Sequence, residues 1–474
     1  MNELSRWRRT CFVIFLCTAT AASSAQTFTT LHSFNVTAPE GPKSGLVQAT
    51  NGNLYGTTFL GGTGEMGTVF MVTPGGKLKT LQSFNGTNGS GPSGLVLATN
   101  GNLYGTTSAG GADFFECGGA SCGTVFQIAP AGALTTLHSF DGTDEGGNPI
   151  SYTGLVQATN RSFYGATNKG GAYGFGTLFK ITAAGTLTTL HSFDPINGEG
   201  VGMAGLVQAT NGYLYGTTDE GGTDGSGTVF RITPTGALTT LYNFSLAAGA
   251  GPYAGLIQAT DGNLYGTTQI GGTYSMGTVF KITPTGTQTT LYNFSGADGS
   301  YPEAGLVQAT DGNFYGTTFQ GGANGEGTIF QISPTGTLAT LYSFCNQAHC
   351  SDGANPGAGL VQATDGSFYG TTEKGGTGNN CSPGCGTVFR LSVGLGPFVE
   401  TLPASGKVGA AIRILGTNLT GATSVSFNGT AAAFTVVSAS QISATVPDGA
   451  TTGQVQVVTP GGTLSSNIAF RMTP

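Results

Sequence analysis

The segment GLVQATNGNLYGTT at residues 45–58 returns almost unchanged at 94, 154, 205, 255, 305 and 359. A unit repeated at such spacing cannot bury its own faces. It must pack on copies of itself, so the repeat decides the architecture before any catalytic motif is considered. The copy that starts at Gly255 reads GLIQATDGNLYGTTQIGGTYSMGTVFKITPTGTQTTLYNFSGADGSYPEA. It holds four short strand-like runs and none with the period and length of a helix. GLIQAT and NLYGTT are split by Asp-Gly or Asn-Gly, the pair that suits a two-residue hairpin with positive φ at both central positions. GTVFKIT follows a glycine-rich loop. TTLYNF follows Pro-Thr-Gly, where proline presets φ and glycine takes the left-handed position.

Four antiparallel strands in seven copies predict an all-β chain built around a seven-bladed β-propeller. A solenoid would also repeat strands, but the chain ends argue for closure. The seventh copy stops at GTVFRLSVGLGPF without a TTLYNF strand, and the missing strand stands at the other end of the chain as TFTTLHSF, residues 27–34. That N-terminal strand is expected to complete the last blade and close the ring, which removes the exposed edges of a terminal repeat. Three aromatic positions recur in every copy, exemplified by Tyr265, Phe280 and Phe294. Recurrence in all seven copies reads as packing between blades rather than as stacking on a sugar. One copy breaks its own rule, with Arg161 where the other six have glycine. That turn is expected to be either rebuilt or strained.

The first 25 residues read as a signal peptide. Arg6, Arg8 and Arg9 precede a short apolar run, and ASSA ends in small residues before Gln26. The run is too short to span a bilayer, which takes about 20 residues. Its removal takes away three arginines and Glu3, so the formal net charge of −7 becomes −9. An acidic chain without a Lys/Arg cluster argues against nucleic acid and anionic membranes as partners. The mature chain keeps six cysteines in three close pairs, Cys117/Cys122, Cys345/Cys350 and Cys381/Cys385. Their even number in an exported chain points to disulfides closed within each pair. The alternatives are cross-pairing between the last two pairs and a thiolate zinc site.

Within such a blade the first-to-second and third-to-fourth turns share one face, and these are nearly identical among the copies. The opposite face carries the variable loops at 108–123, 141–153, 345–358 and 373–386, and all three cysteine pairs. Loops on a rigid scaffold are where binding usually resides. The binding candidates on that face are Glu116, Asp141, Asp144, Glu145, Asp352 and Glu373. No catalytic residue is assigned. His32, His138 and His191 share one repeat position that holds Gln or Tyr in other copies, which marks them as structural. HExxH and GxxxxGK[ST] motifs are absent from the sequence. No cofactor is expected. Calcium at the glycine-rich loops is the weaker alternative, because their acidic residues do not recur at a fixed step.

Beyond Gly396 the repeat gives way to short alternating runs typical of a small β-sandwich. LPASGKVGAAIRILGTNL, SVSFNG, ISATVP and GQVQVVTPGG, in that order, resemble an IPT/TIG domain, an immunoglobulin-like module. The repeat GLVQATDGNLYGTT…GGxxGxGTVFKITPTG resembles the GloVer tandem repeat of bacterial choice-of-anchor surface proteins over residues 27–396. That resemblance implies an exported repeat protein and supplies no catalytic residues. The expected organisation is a signal peptide at 1–25, a seven-repeat propeller at 26–396 and an Ig-like domain at 397–474. The terminal NIAFRMTP carries no apolar helix, and the LPASG at 402–406 lies inside the sandwich, so no transmembrane or covalent anchor is expected. The expected protein is an exported monomer of the cell surface, periplasm or medium that binds a glycan or cell-envelope component without catalysis. The alternative is a polysaccharide lyase or glycosidase, the latter needing two carboxylates about the bond.

Overall fold

The computed structural model describes residues 26–35, 41–112, 122–142, 147, 154–194, 205–378 and 385–473. The signal-peptide segment therefore lies outside the described residues. Among the described residues the protein is all-β apart from one 3-10 turn at Ala348–Cys350. Residues 26–393 hold seven four-stranded antiparallel sheets with the character of propeller blades. In the fifth repeat the order is Ile257–Gln258, Leu264–Thr268, Thr278–Ile282 and Gln288–Asn293. In the seventh repeat the fourth place is taken by the N-terminal strand, Thr27–Ser33, which pairs antiparallel with Thr387–Ser392.

The sequence explains the sheet details. Innermost strands are mostly two residues long, because the Gly-Leu pair before them lines a cavity instead of pairing. Every third-to-fourth strand pairing carries a bulge at the same repeat position, for example at Leu241, skipped between Val229↔Tyr242 and Phe230↔Thr240. The bulge turns one carbonyl toward the next sheet. The Pro-Thr-Gly glycine meets it there: a Cβ built on Gly286 would lie 2.7 Å from the Leu241 oxygen, and one on Gly236 would lie 2.6 Å from that of Leu190. Gly286 also has φ +102, so both space and backbone conformation require glycine.

Side chains between sheets form one repeated core. The fourth-strand Phe of each sheet packs edge-on against the third-strand Phe of the next, as in Phe244–Phe280 at 5.1 Å and Phe294–Phe330 at 5.2 Å. Phe34, just past the N-terminal strand, makes the same contact with Phe70 of the first sheet at 5.4 Å. These rings are fully buried, as are the YGTT tyrosines. Such aromatic pairs contribute on the order of 1 kcal/mol each beyond area burial. The histidine column proves interchangeable with tyrosine in its packing. His191 stands edge-on to Phe193 at 5.1 Å, as Tyr242 does to Phe244 at 5.0 Å. Arg161 keeps the turn of its glycine counterparts, with φ 65 and its N–H donating to the Ala158 carbonyl at 2.8 Å. The turn is strained rather than rebuilt.

Residues 399–472 form a sandwich of two four-stranded sheets. Its core includes Val399, Ile412, Ile414, Phe427, Val457 and Phe470.

Candidate functional site

A cavity of about 250 Å³ is lined by six Gly-Leu pairs, five of them just before an innermost strand, such as Gly45-Leu46, Gly255-Leu256 and Gly305-Leu306, and one, Gly94-Leu95, within the strand Ser90–Leu97. Its wall is therefore backbone and aliphatic, with little to recognise a ligand. Recognition must come from its two ends.

One end is covered. The innermost strands run from the Gly-Leu pairs toward the Asn-Gly and Asp-Gly turns, and the C-terminal domain docks on those turns. Arg413 donates to the carbonyls of Thr99 and Asn100, Ser440 to that of Thr50 at 2.8 Å, Arg471 to that of Thr210 at 2.5 Å and Asn467 to that of Gln308 at 3.0 Å. Thr417 and Thr364 pair through their hydroxyls at 2.9 Å. The domain thus touches the first, second, fourth, sixth and seventh sheets, straddling the axis on which they converge.

The other end carries side chains that differ from repeat to repeat. Lys43, Tyr253 and Glu303 each stand two residues before a cavity-lining glycine. Asp219, Gln269 and Glu373 each follow a YGTT strand returning to the same end. Lys43 Nζ lies 4.0 Å from a Glu373 oxygen and 5.3 Å from the Phe59 ring centre. Gln269 Nε2 donates to Glu303 Oε1 at 2.8 Å. Gly357 occupies the repeat position of Tyr253 and Glu303, and a Cβ there would lie 2.6 Å from Glu373 Oε1. Burial pushes the Asp219 carboxyl up to about 6. Burial also raises the Glu303 and Glu373 carboxyls, Lys43 partly offsetting it in both; Glu303 pushes Glu373 further up. Desolvated groups of this kind in a concavity mark a candidate binding site.

The residues expected from sequence fall differently. Glu373 is at this mouth. Asp352 is fully buried and its carboxylate is taken by its own loop, accepting from the Tyr342 hydroxyl at 2.7 Å and the Asn346 N–H at 2.9 Å. Asp298 plays the same part in an earlier repeat, accepting from the Tyr292 hydroxyl and from the Ser295 N–H. Asp141 begins the loop after the second sheet. Glu116, Asp144, Glu145, Cys117 and Cys381 lie outside the described residues. Cys345 and Cys350 form a disulfide, and Cys122 and Cys385 are also disulfide-bonded. Among the described residues no three His, Cys, Asp or Glu side chains converge as metal ligands. Lys43, Asp219, Tyr253 and Glu303 were missed by sequence reasoning. Their signal is the variation of two repeat columns, one two residues before the cavity-lining glycine and one just after YGTT, each between nearly invariant neighbours.

Comparison with solved structures finds a fungal alcohol oxidase of the AA5 family in complex with copper, 13% identical, with TM-score 0.53, covering 94% of this chain and 98% of that one. That likeness spans both domains and shows a shared fold alone. A periplasmic gluconolactonase of Pseudomonas aeruginosa is 16% identical with TM-score 0.45, covering 72% of this chain and 98% of that one. No match was found among curated proteins. Among the described residues no helix is long and apolar enough to cross a membrane. The Gloeobacter/Verrucomicrobia repeat matches residues 14–203, 116–310 and 252–430, and the IPT/TIG domain matches 398–472. With most of its length so matched, the chain belongs to the Gloeobacter/Verrucomicrobia repeat family and ends in an IPT/TIG domain.

Proposed function

We propose that this is an exported, non-enzymatic binding protein: a seven-bladed propeller closed by its N-terminal strand, with one mouth covered by the IPT/TIG domain and the other open to a glycan or cell-envelope ligand. The observation that carries the reading is the opposition of the two ends. Nearly identical turns meet the IPT/TIG domain through their backbone carbonyls, while the side chains that vary gather at the opposite end around Glu303 and Glu373. A scaffold that repeats everywhere else has reason to vary where it meets a ligand. The contact of Phe34 with Phe70 and the pairing of Thr27–Ser33 with Thr387–Ser392 support closure. The Cys345–Cys350 disulfide and the leader-like N-terminus support export.

A polysaccharide-cleaving enzyme is the second reading, favoured by the raised carboxyls of Asp219, Glu303 and Glu373, since a general acid works from a raised pKa. A glycan screen with parallel detection of new reducing ends and unsaturated products separates the two. Binding without product, weakened by Glu373→Gln, is the expected result. Turnover abolished by the same substitution would establish the enzyme instead.

A further inference from the structure

We infer that the open mouth selects a ligand carrying protonated amines. The inference rests on the reading of that mouth as the binding site and names its chemistry. Carboxylates outnumber cations among the polar groups that converge there. Asp219, Glu303 and Glu373 bring three carboxylates, against which the arc sets Lys43 as a cation. Lys374, beside Glu373 and exposed, is a second cation that acts on the Glu373 carboxyl, and Glu220 adds a further exposed carboxylate beside Asp219, so four carboxylates stand against two lysines. Gln269 meets Glu303 as a neutral donor and leaves its charge uncancelled.

Two further features mark the rim. Asn355 stands at the same rim, joined to Glu373 by the Glu373 N–H donating to its carbonyl at 3.0 Å, and it is only 3% exposed. Its Oδ1 is buried without a hydrogen-bond partner, while its Nδ2 donates to the Phe319 carbonyl. Gly357 lacks the side chain that its repeat counterparts carry, and the Glu373 carboxylate lies against it. An ammonium group offers three donors, no acceptor and one positive charge. It matches a rim of partly desolvated carboxylates, and Tyr253 and Phe59 add ring faces at the same rim. A neutral or anionic sugar would leave the carboxylates without compensation.

Two sources share this chemistry, an amino-sugar oligomer and a free polyamine. Calorimetry at neutral pH with a glucosamine oligomer, its fully N-acetylated counterpart and spermidine distinguishes them. The glucosamine oligomer is expected to bind and the N-acetylated one at least tenfold more weakly. Binding of spermidine as well would assign a bare-amine site, and its failure an amino-sugar site. Glu303→Gln and Glu373→Gln are each expected to weaken amine binding at least tenfold. Lys43→Gln is expected to tighten it severalfold, an effect that a damaged fold cannot imitate. Absence of amine binding, equal binding of the acetylated oligomer, or weaker binding by Lys43→Gln would each overturn the inference. A neutral oligosaccharide whose binding is lost in the Glu303 and Glu373 variants would overturn the amine selectivity while sustaining the mouth as the binding site.

Discussion

The Tyr265 hydroxyl donates to Asp261 Oδ2 at 2.8 Å, whereas at the equivalent positions the Tyr55 hydroxyl accepts from Asn51 Nδ2 at 2.8 Å. A hydroxyl can serve either way, so the hairpin turn accepts Asn or Asp at its first position without moving the tyrosine. Asp261 also takes a bond from Lys281 Nζ at 3.0 Å. Burial raises the Asp261 carboxyl, but bonds from Asn263, Lys281 and Tyr265 outweigh it and bring the pKa down to about 2. Asp261→Asn is therefore expected to change stability by less than about 1 kcal/mol, since an exposed ion pair contributes little. Tyr265→Phe, which strands the turn, is expected to cost about 1–2 kcal/mol. Denaturant unfolding of the two variants checks the order; a costlier Asp261→Asn would refute the interchange.

Arg161 holds a left-handed conformation that glycine adopts freely in the other repeats. Arg161→Gly is expected to raise stability by about 0.5–1 kcal/mol, the relief of strain exceeding the added entropy of the unfolded chain. A loss of stability in chemical denaturation would show that the arginine side chain holds the turn.

Asp219 titrates near 6 in the folded chain and near 3.8 when unfolded. As pH rises between those values, the unfolded chain gives up its proton first and the folded chain retains more, so this group lowers stability with rising pH. Asp219→Asn is expected to gain on the order of 1 kcal/mol at pH 8 and little at pH 3.5. Melting temperatures across that range check the sign. Equal gains at both ends would mean that burial of the charge is not the cause.

Arg413 and Arg471 hold the IPT/TIG domain through backbone carbonyls. The double substitution to Ala is expected to loosen docking by about 2–4 kcal/mol, since each bond from a charged donor contributes about 1.5–3 kcal/mol before relaxation. Calorimetry should then resolve a separate transition for the C-terminal domain, and proteolysis near Gly396 should accelerate. A single unchanged transition would contradict the docking.

Much of the fold was legible because the repeat states it seven times. The Asn-Gly turns, the four runs and the aromatic columns each carry a local reason that the structure repeats. The bulge at Leu241 was not legible, because nothing in TTLYNF distinguishes a regular pair from a bulged one; only the fit to Gly286 of the next sheet does. Docking of the IPT/TIG domain left no signature on the repeat side, since its partners Thr99 and Thr50 contribute carbonyls that any residue possesses. Asp352 drew attention as an acidic loop residue, yet the Tyr342 hydroxyl and loop amides use its carboxylate. Glu303 and Asp219 sat in short conserved-length segments rather than long loops, where attention to loop length passed them by.

The N-terminal strand pairs along Thr387–Ser392 and stacks Phe28 on Tyr342 at 3.9 Å, so seven residues at one end of the chain complete a sheet at the other. Thermal unfolding of a chain beginning at Ala38, against one beginning at Gln26, tests the closed propeller most directly. The account predicts that the shorter chain melts far lower or aggregates, because it exposes Thr387–Ser392 as an unpaired edge and uncovers Phe70. Two chains melting together would contradict it.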